Sequence, residues 1–200
     1  MLLFPAFLKL ADRRCLVVGG GRVAEEKTQG LLRAEAQVRV IAPEATRRIR
    51  AWAREGKIRW DARAFRTADL NGMFVVVAAT SSPTLHGQIY AHAKRRGVLC
   101  NVVDDPEHCD FYYGSVVRRG ELQIAISTGG HSPALAQRLR KRLQRQFGAE
   151  YKEWLEELGA TRKQLFARRV SPARRKALLH QLASDESFDE FLRRRKPKRK

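Results

Sequence analysis

The sequence predicts an α/β fold whose first part is an open parallel sheet, and three observations carry that prediction. Apolar, β-rich runs at 16–18, 38–42, 74–79 and 98–103 alternate with stretches of helical pattern. The run Cys15-Leu16-Val17-Val18 passes directly into Gly19-Gly20-Gly21-Arg22-Val23-Ala24 and then into a helix. After residue 113 the texture changes to a hairpin, a helix and then helical pattern to about residue 195.

Each element has its own signal. Cys15–Val18 carries no charge and reads as a buried strand. Residues 19–24 fit the pattern G-x-G-x-x-A. Gly19 permits the tight turn, Gly21 lets backbone approach a diphosphate, and Ala24 lets the helix lie close on the strand. The helix spans about 22–36, with Val23, Ala24, Lys27, Leu31 and Leu32 able to share one face. Its N-terminus offers free N–H groups and positive potential to phosphates. A second helix, about 84–96, is opened by Ser82 and Pro83 and closed by Gly97.

Further on, Val116-Val117 and Leu122–Ser127 read as strands joined by a tight turn at Arg118-Arg119-Gly120-Glu121. Ser132 caps, and Pro133 begins, a helix to about Gln146. Its Leu135, Leu139 and Leu143 form an apolar stripe backed by basic residues, which suits a second subunit. From Gly148 the pattern reads as short helices, one starting at Ser171-Pro172 and presenting Leu178, Leu179 and Leu182. The last opens on Ser184-Asp185-Glu186 and closes on arginines, as the helix dipole prefers. The basic tail 196–200 reads as disordered.

Composition bounds the function. A hydrophobic fraction of 44% supports a real core. No apolar run approaches the ~20 residues of a membrane span, and Met1–Pro5 lacks the features of a secretion signal. The cytoplasm is the default location. Cys15, Cys100 and Cys109 form no C-x-x-C pair, which fits a reducing compartment and gives no zinc site. The net charge is +19, and residues 138–200, with 20 basic and 8 acidic residues, hold +12 of it. Such an excess favours an anionic partner, or else is a solvated surface.

Candidate chemistry gathers at strand tips. Asn101-Val102-Val103-Asp104-Asp105-Pro106 ends a strand on the edge that carries the glycine turn, where ligands of open α/β sheets bind. Asp104 could reach a substrate there, or Asp104 and Asp105 could simply cap a turn before Pro106. Ala78-Ala79-Thr80 borders the same edge. The loop Thr128-Gly129-Gly130-His131-Ser132 is either a second anion site or a capped turn before a helix. Arg118 and Arg119 could contact an anionic substrate or form an exposed hairpin turn. His108 and His131 lack metal-ligand spacing, and Tyr112 and Tyr113 read as packing residues. The acidic residue expected at the second strand tip is missing from Ile41-Ala42-Pro43. Glu44 just beyond it would favour NAD, whereas Arg47-Arg48 would welcome a 2′-phosphate.

Four stretches, Cys15–Lys27, Ala78–Thr80, Asn101–Pro106 and Ser127–Pro133, together resemble the siroheme synthase dehydrogenase/chelatase module over roughly residues 2–190. The resemblance implies NAD-dependent oxidation of precorrin-2 to sirohydrochlorin. Some members also insert ferrous iron, and the resemblance leaves that second activity open. It implies a Rossmann domain at 1–113, a dimerisation segment at 114–147, a small helical domain at 148–195 and a homodimer. The methyltransferase domain fused to some relatives is missing, which implies the stand-alone form. Asp104 matches the aspartate proposed in the family as general base and as chelatase residue. Gly19, Gly21, Arg22, Val23, Pro43, Glu44 and Thr80 fall at cofactor-binding positions. Asn101, Arg118, Thr128, Gly129, Gly130 and Ser132 fall toward the substrate. Thr128 replaces a serine that is phosphorylated in some relatives.

The alternative is a dinucleotide-sensing module that binds nucleic acid through its basic helical end. It has no reading helix or base-stacking cluster in its favour, and it leaves 101–106 and 127–133 unexplained.

Overall fold

Apolar runs can be buried on both faces, and the middle of the sheet of this protein is built from them, with its charged residues kept to strand ends and to one edge. The computed structural model describes residues 2–195. Five parallel strands, β1 (Arg14–Val18), β2 (Gln37–Ile41), β3 (Arg59–Asp61), β4 (Val75–Ala78) and β5 (Leu99–Val102), lie in the order β3-β2-β1-β4-β5. Val18 pairs in register with Ile41 and with Ala78, and Ala78 with Val102. The tips of four strands therefore end at one level, on one edge.

Strand alternation sorts the core into two layers. Cys15, Val17, Val40, Val75 and Val77 pack under α1 (Arg22–Arg33) and α2 (Arg47–Arg54), through Ala24, Leu31, Ile49 and Trp52. Leu16, Val18, Val76, Cys100 and Val102 pack under α3 (Pro83–Arg95), through Ile89 and Ala93. Helix α1 stops three residues short of its expected end because Glu35 turns left-handed, with φ of 59°. Its buried face is Ala24, Thr28 and Leu31, while Val23, expected on that face, is 43% exposed.

The short pair α2 and β3 escaped the sequence reading. Four of the eight α2 residues are arginine, and only Ile49 and Trp52 are buried. β3 is an edge strand with charged residues on both sides of Trp60. Ion pairs hold this edge: Arg39 meets Asp61 at 2.5 Å, and Arg63 meets the buried Asp69 at 2.6 Å. Asp69 also accepts the Arg66 N–H at 2.8 Å.

The chain divides into two compact units between Tyr112 and Tyr113. In the second, β6 (Ser115–Arg119) and β7 (Leu122–Ile126) form an antiparallel hairpin. Its turn is Gly120-Glu121 alone, with Gly120 at φ of 59°. Arg118 and Arg119, expected in the turn, are paired strand residues. Helix α4 (Pro133–Gln146) starts as expected, the Ser132 Oγ accepting the Leu135 N–H at 3.2 Å. The next helix, α5 (Tyr151–Ala167), is 17 residues long rather than short, because Leu155, Leu158 and Leu165 continue one stripe past Gly159. Then come α6 (Pro172–Leu182) and α7 (Asp185–Arg195). Tyr151, Trp154, Phe188 and Phe191 form an aromatic cluster joining α5 to α7. The tail expected to be disordered lies outside the described residues. No described helix is long and apolar enough to cross a membrane.

Burial pushes the Asp69 carboxyl up, but the Arg63 and Arg66 hydrogen bonds and the charges of Arg63 and Arg39 together hold it below the usual carboxylate range. A depressed native pKa stabilises the fold above the unfolded value and is lost as pH falls through the native one. Asp69→Ala should therefore cost about 3 kcal/mol at neutral pH. In urea melts that cost should shrink below pH 4; an equal cost at pH 7 and pH 3 would contradict the assignment.

Candidate active site

The glycine turn is fixed by backbone on both sides. Gly19 has φ of 123°, and a Cβ there would come within 2.2 Å of the Ala79 carbonyl oxygen. A Cβ at Gly20 would come within 1.9 Å of the Glu44 carbonyl oxygen. The Gly19 N–H donates to Ile41 O at 2.9 Å, and the Thr46 N–H donates to Gly20 O at 2.9 Å. The turn is wedged between the chain leaving β2 and the chain leaving β4.

Gly21 is different. Its φ of −78° suits any residue, and a Cβ there would meet nothing within 4 Å. It is the N-cap of α1, and no side chain caps that helix, whereas Thr46 caps α2 and Ser82 caps α3. The first-turn amides of α1 thus face an opening that a side chain at position 21 would fill. This cradle fits a diphosphate.

The rim of the cradle is formed by neighbouring residues. Arg22 and Val23 are exposed on the first turn of α1. Pro43 and Glu44 are exposed after β2, and Glu44 makes no side-chain bond among the described residues. Arg47 is exposed, and Arg48 lies 3.9 Å from the Glu25 carboxylate. Thr80 follows β4, its Oγ1 accepting the Ser82 N–H at 3.2 Å.

Two residues past β5, Asp104 takes a left-handed φ of 60°. Val102 lies two strands from Val18 on one level, a lateral distance of ~10 Å. Asp104 is exposed and makes no hydrogen bond or ion pair with the described residues. Asp105 is the structural member of the pair: its Oδ2 lies 2.7 Å from His108 Nδ1, and its carbonyl accepts the His108 N–H at 3.2 Å. The His108 ring meets the Tyr90 ring edge-on at 4.9 Å. The spacing of Asp105 and His108 was the sequence signal for this clasp, and it was missed.

Asn101, expected to face the substrate, is buried. Its Nδ2 donates to Phe111 O at 2.9 Å and contacts Cys109 Sγ at 3.4 Å. It ties the loop 103–111 to β5 and so supports Asp104 from behind. Cys109 donates to Val102 O at 3.1 Å in the same knot. Burial pushes the Cys109 thiol up, and Cys15 and Cys100 up to about 11 and about 12. None of the three is a reactive thiolate.

The remaining candidates belong to the second unit. Arg118 is exposed on β6 opposite Gln123. Arg119 donates to the carbonyls of Gln144, Phe147 and Gly148 at 2.8–3.0 Å. It caps the end of α4, which corrects its reading as a substrate contact. Gly129 and Gly130 have positive φ, and Thr128 Oγ1 accepts the Ser132 N–H at 3.2 Å. Thr128 and Ser132 thus use their hydroxyls to form a capped turn.

With this geometry in place, a family model described as putative NAD(P)-binding matches residues 6–115. A second, described as sirohaem biosynthesis protein central, matches 119–146. The siroheme synthase of Nitrosococcus oceani is 42% identical over 144 residues, covering 72% of this chain and 31% of that protein. That of Neisseria meningitidis serogroup C is 43% identical over 141 residues, covering 70% and 29%. The chain spans less than a third of the length of these relatives. A solved structure titled SirC, precorrin-2 dehydrogenase, superposes with a TM-score of 0.80 at 27% identity, covering 96% of this chain and 98% of that one. The chain belongs to the putative NAD(P)-binding family, as a module of the siroheme synthase dehydrogenase type.

Proposed function

We propose that the chain oxidises precorrin-2 to sirohydrochlorin with NAD. The observation that carries this reading is the pairing, on one sheet edge, of an uncapped α1 cradle with the unpartnered carboxylate of Asp104. The likeness to a structure titled precorrin-2 dehydrogenase over nearly the full length of both chains supports the substrate.

Bound there, NAD would supply the hydride acceptor. The α1 amides, with Gly21 leaving room, would hold its diphosphate. Arg22, Val23, Pro43 and Thr80 would line it, and Glu44 would take the ribose hydroxyls. Asp104 accepts the proton that leaves the macrocycle as the hydride departs. The Asp105–His108 pair and Asn101 keep the Asp104 loop in place, which makes them positioning residues. Arg118 and the loop 128–132 are assigned to the carboxylates of the substrate. The Leu135 side of α4 is assigned to a homodimer, since Leu135 is 48% exposed. Residues 114–147 are assigned as the dimerisation segment and 148–195 as a helical domain.

These assignments are open to separate tests. Gly21→Val should weaken NAD on the order of tenfold or more with an unchanged melting temperature. Gly19→Ala should lower the melting temperature itself. If the two variants behave alike, the diphosphate cradle is misplaced. Asp104→Ala should slow NADH formation from precorrin-2 by roughly a hundredfold or more while calorimetry finds NAD affinity intact; full turnover would remove Asp104 from the chemistry. Leu135→Glu should turn a dimer into a monomer by light scattering, and a persisting dimer would place the interface elsewhere.

A further inference from the structure

The basic charge of the helical region has no part in the reaction described above. No acidic residue occurs between Glu157 and Asp185, while seven arginines and lysines do. Within this stretch a groove of about 280 Å³ opens between α5 and α6. Arg162, Arg175, Lys176 and His180 supply its polar lining, and Phe166 and Leu179 its apolar part.

Both guanidiniums lie against one aromatic ring, and that of Arg175 is also fixed by a hydrogen bond. Arg175 sits 3.8 Å from the Phe166 ring centre, and its Nη1 donates to Val170 O at 3.1 Å. Arg162 lies 4.9 Å from the same ring. Phe166 is itself 47% exposed, so it acts as a platform for the arginines rather than as core. No described carboxylate pairs with Arg162, Arg175 or Lys176. The carboxylates of Glu157 and Glu153 on α5 are taken by Arg194 and Arg195 of α7. Helix α6 begins at Pro172, which also lines the groove, and Ser171 gives it no side-chain cap. Like charges oriented side by side without a counter-charge repel, and an anion relieves that repulsion.

We propose that this groove binds a compact polyanion of three or more charges through Arg162, Arg175 and Lys176. Two sources share that chemistry: a chain of phosphates, and the carboxylate arms of a tetrapyrrole. The second rests on the function proposed above; the first does not. A fixed guanidinium fork reads either group bidentately.

Calorimetry at low salt with two probes tests it: inorganic tripolyphosphate, and uroporphyrin, which carries eight carboxylates. At least one probe should bind one-to-one at a site that the pair Arg162→Ala/Lys176→Ala weakens tenfold or more. Removing two charges from α4 instead, with Lys141→Ala/Arg145→Ala, should change that site less than twofold. Phe166→Leu should weaken it severalfold with an unaltered melting curve, because the arginines lose their platform. A groove-dependent site for uroporphyrin alone identifies the tetrapyrrole as the source; one for tripolyphosphate alone identifies the phosphate. No saturable site for either probe, or equal losses in the groove and α4 pairs, would overturn the proposal. Turnover of the Asp104→Ala variant bears only on the reaction and leaves this outcome unaffected.

Discussion

The cofactor edge depends on a steric constraint: three chain segments approach so closely that two positions admit no side chain. At Gly19 the backbone leaving β4 occupies the place of a Cβ, and at Gly20 the backbone leaving β2 does so. Those contacts follow from the shared register of β1, β2 and β4, which brings the strand tips to one level. The third glycine is free of such contacts, so the space before α1 stays open to a ligand. Packing thus explains two of the glycines, and binding is left to explain the third.

The same register sets the place of Asp104. β5 extends the level edge by one strand beyond β4, and the left-handed turn at Asp104 ends the run. Its neighbours then hold the turn: Asp105 on His108, Asn101 on Phe111, Cys109 on Val102. A carboxylate left without a partner inside such a well-bonded loop contrasts with Asp61 and Asp69, which are both paired to arginine.

Much of this was legible in the sequence, for physical reasons that differ by element. Cys15–Val18 of β1 and all of β4 are charge-free runs, and the Ser82-Pro83 and Ser132-Pro133 starts are local capping chemistry, so short windows identify them. α2 and β3 were not legible because their burial rests on Ile49, Trp52 and a cross-strand ion pair, which no periodicity reveals. α5 was misjudged in length because Gly159 interrupts a pattern that tertiary packing carries through. In the candidate site, motif spacing located the glycine turn and Asp104. It misjudged Asn101 and Arg119, since a polar side chain beside a site contacts a ligand or braces a loop with the same sequence signature.

The central claim is that one crevice joins the α1 amides to Asp104. A crystal structure of the chain with NAD bound tests it most directly. The account predicts diphosphate oxygens within hydrogen-bonding distance of the amides at 22–23, with the nicotinamide running past β4 toward Asp104. A diphosphate bound away from Gly21, or a nicotinamide pointing toward β3, would contradict it.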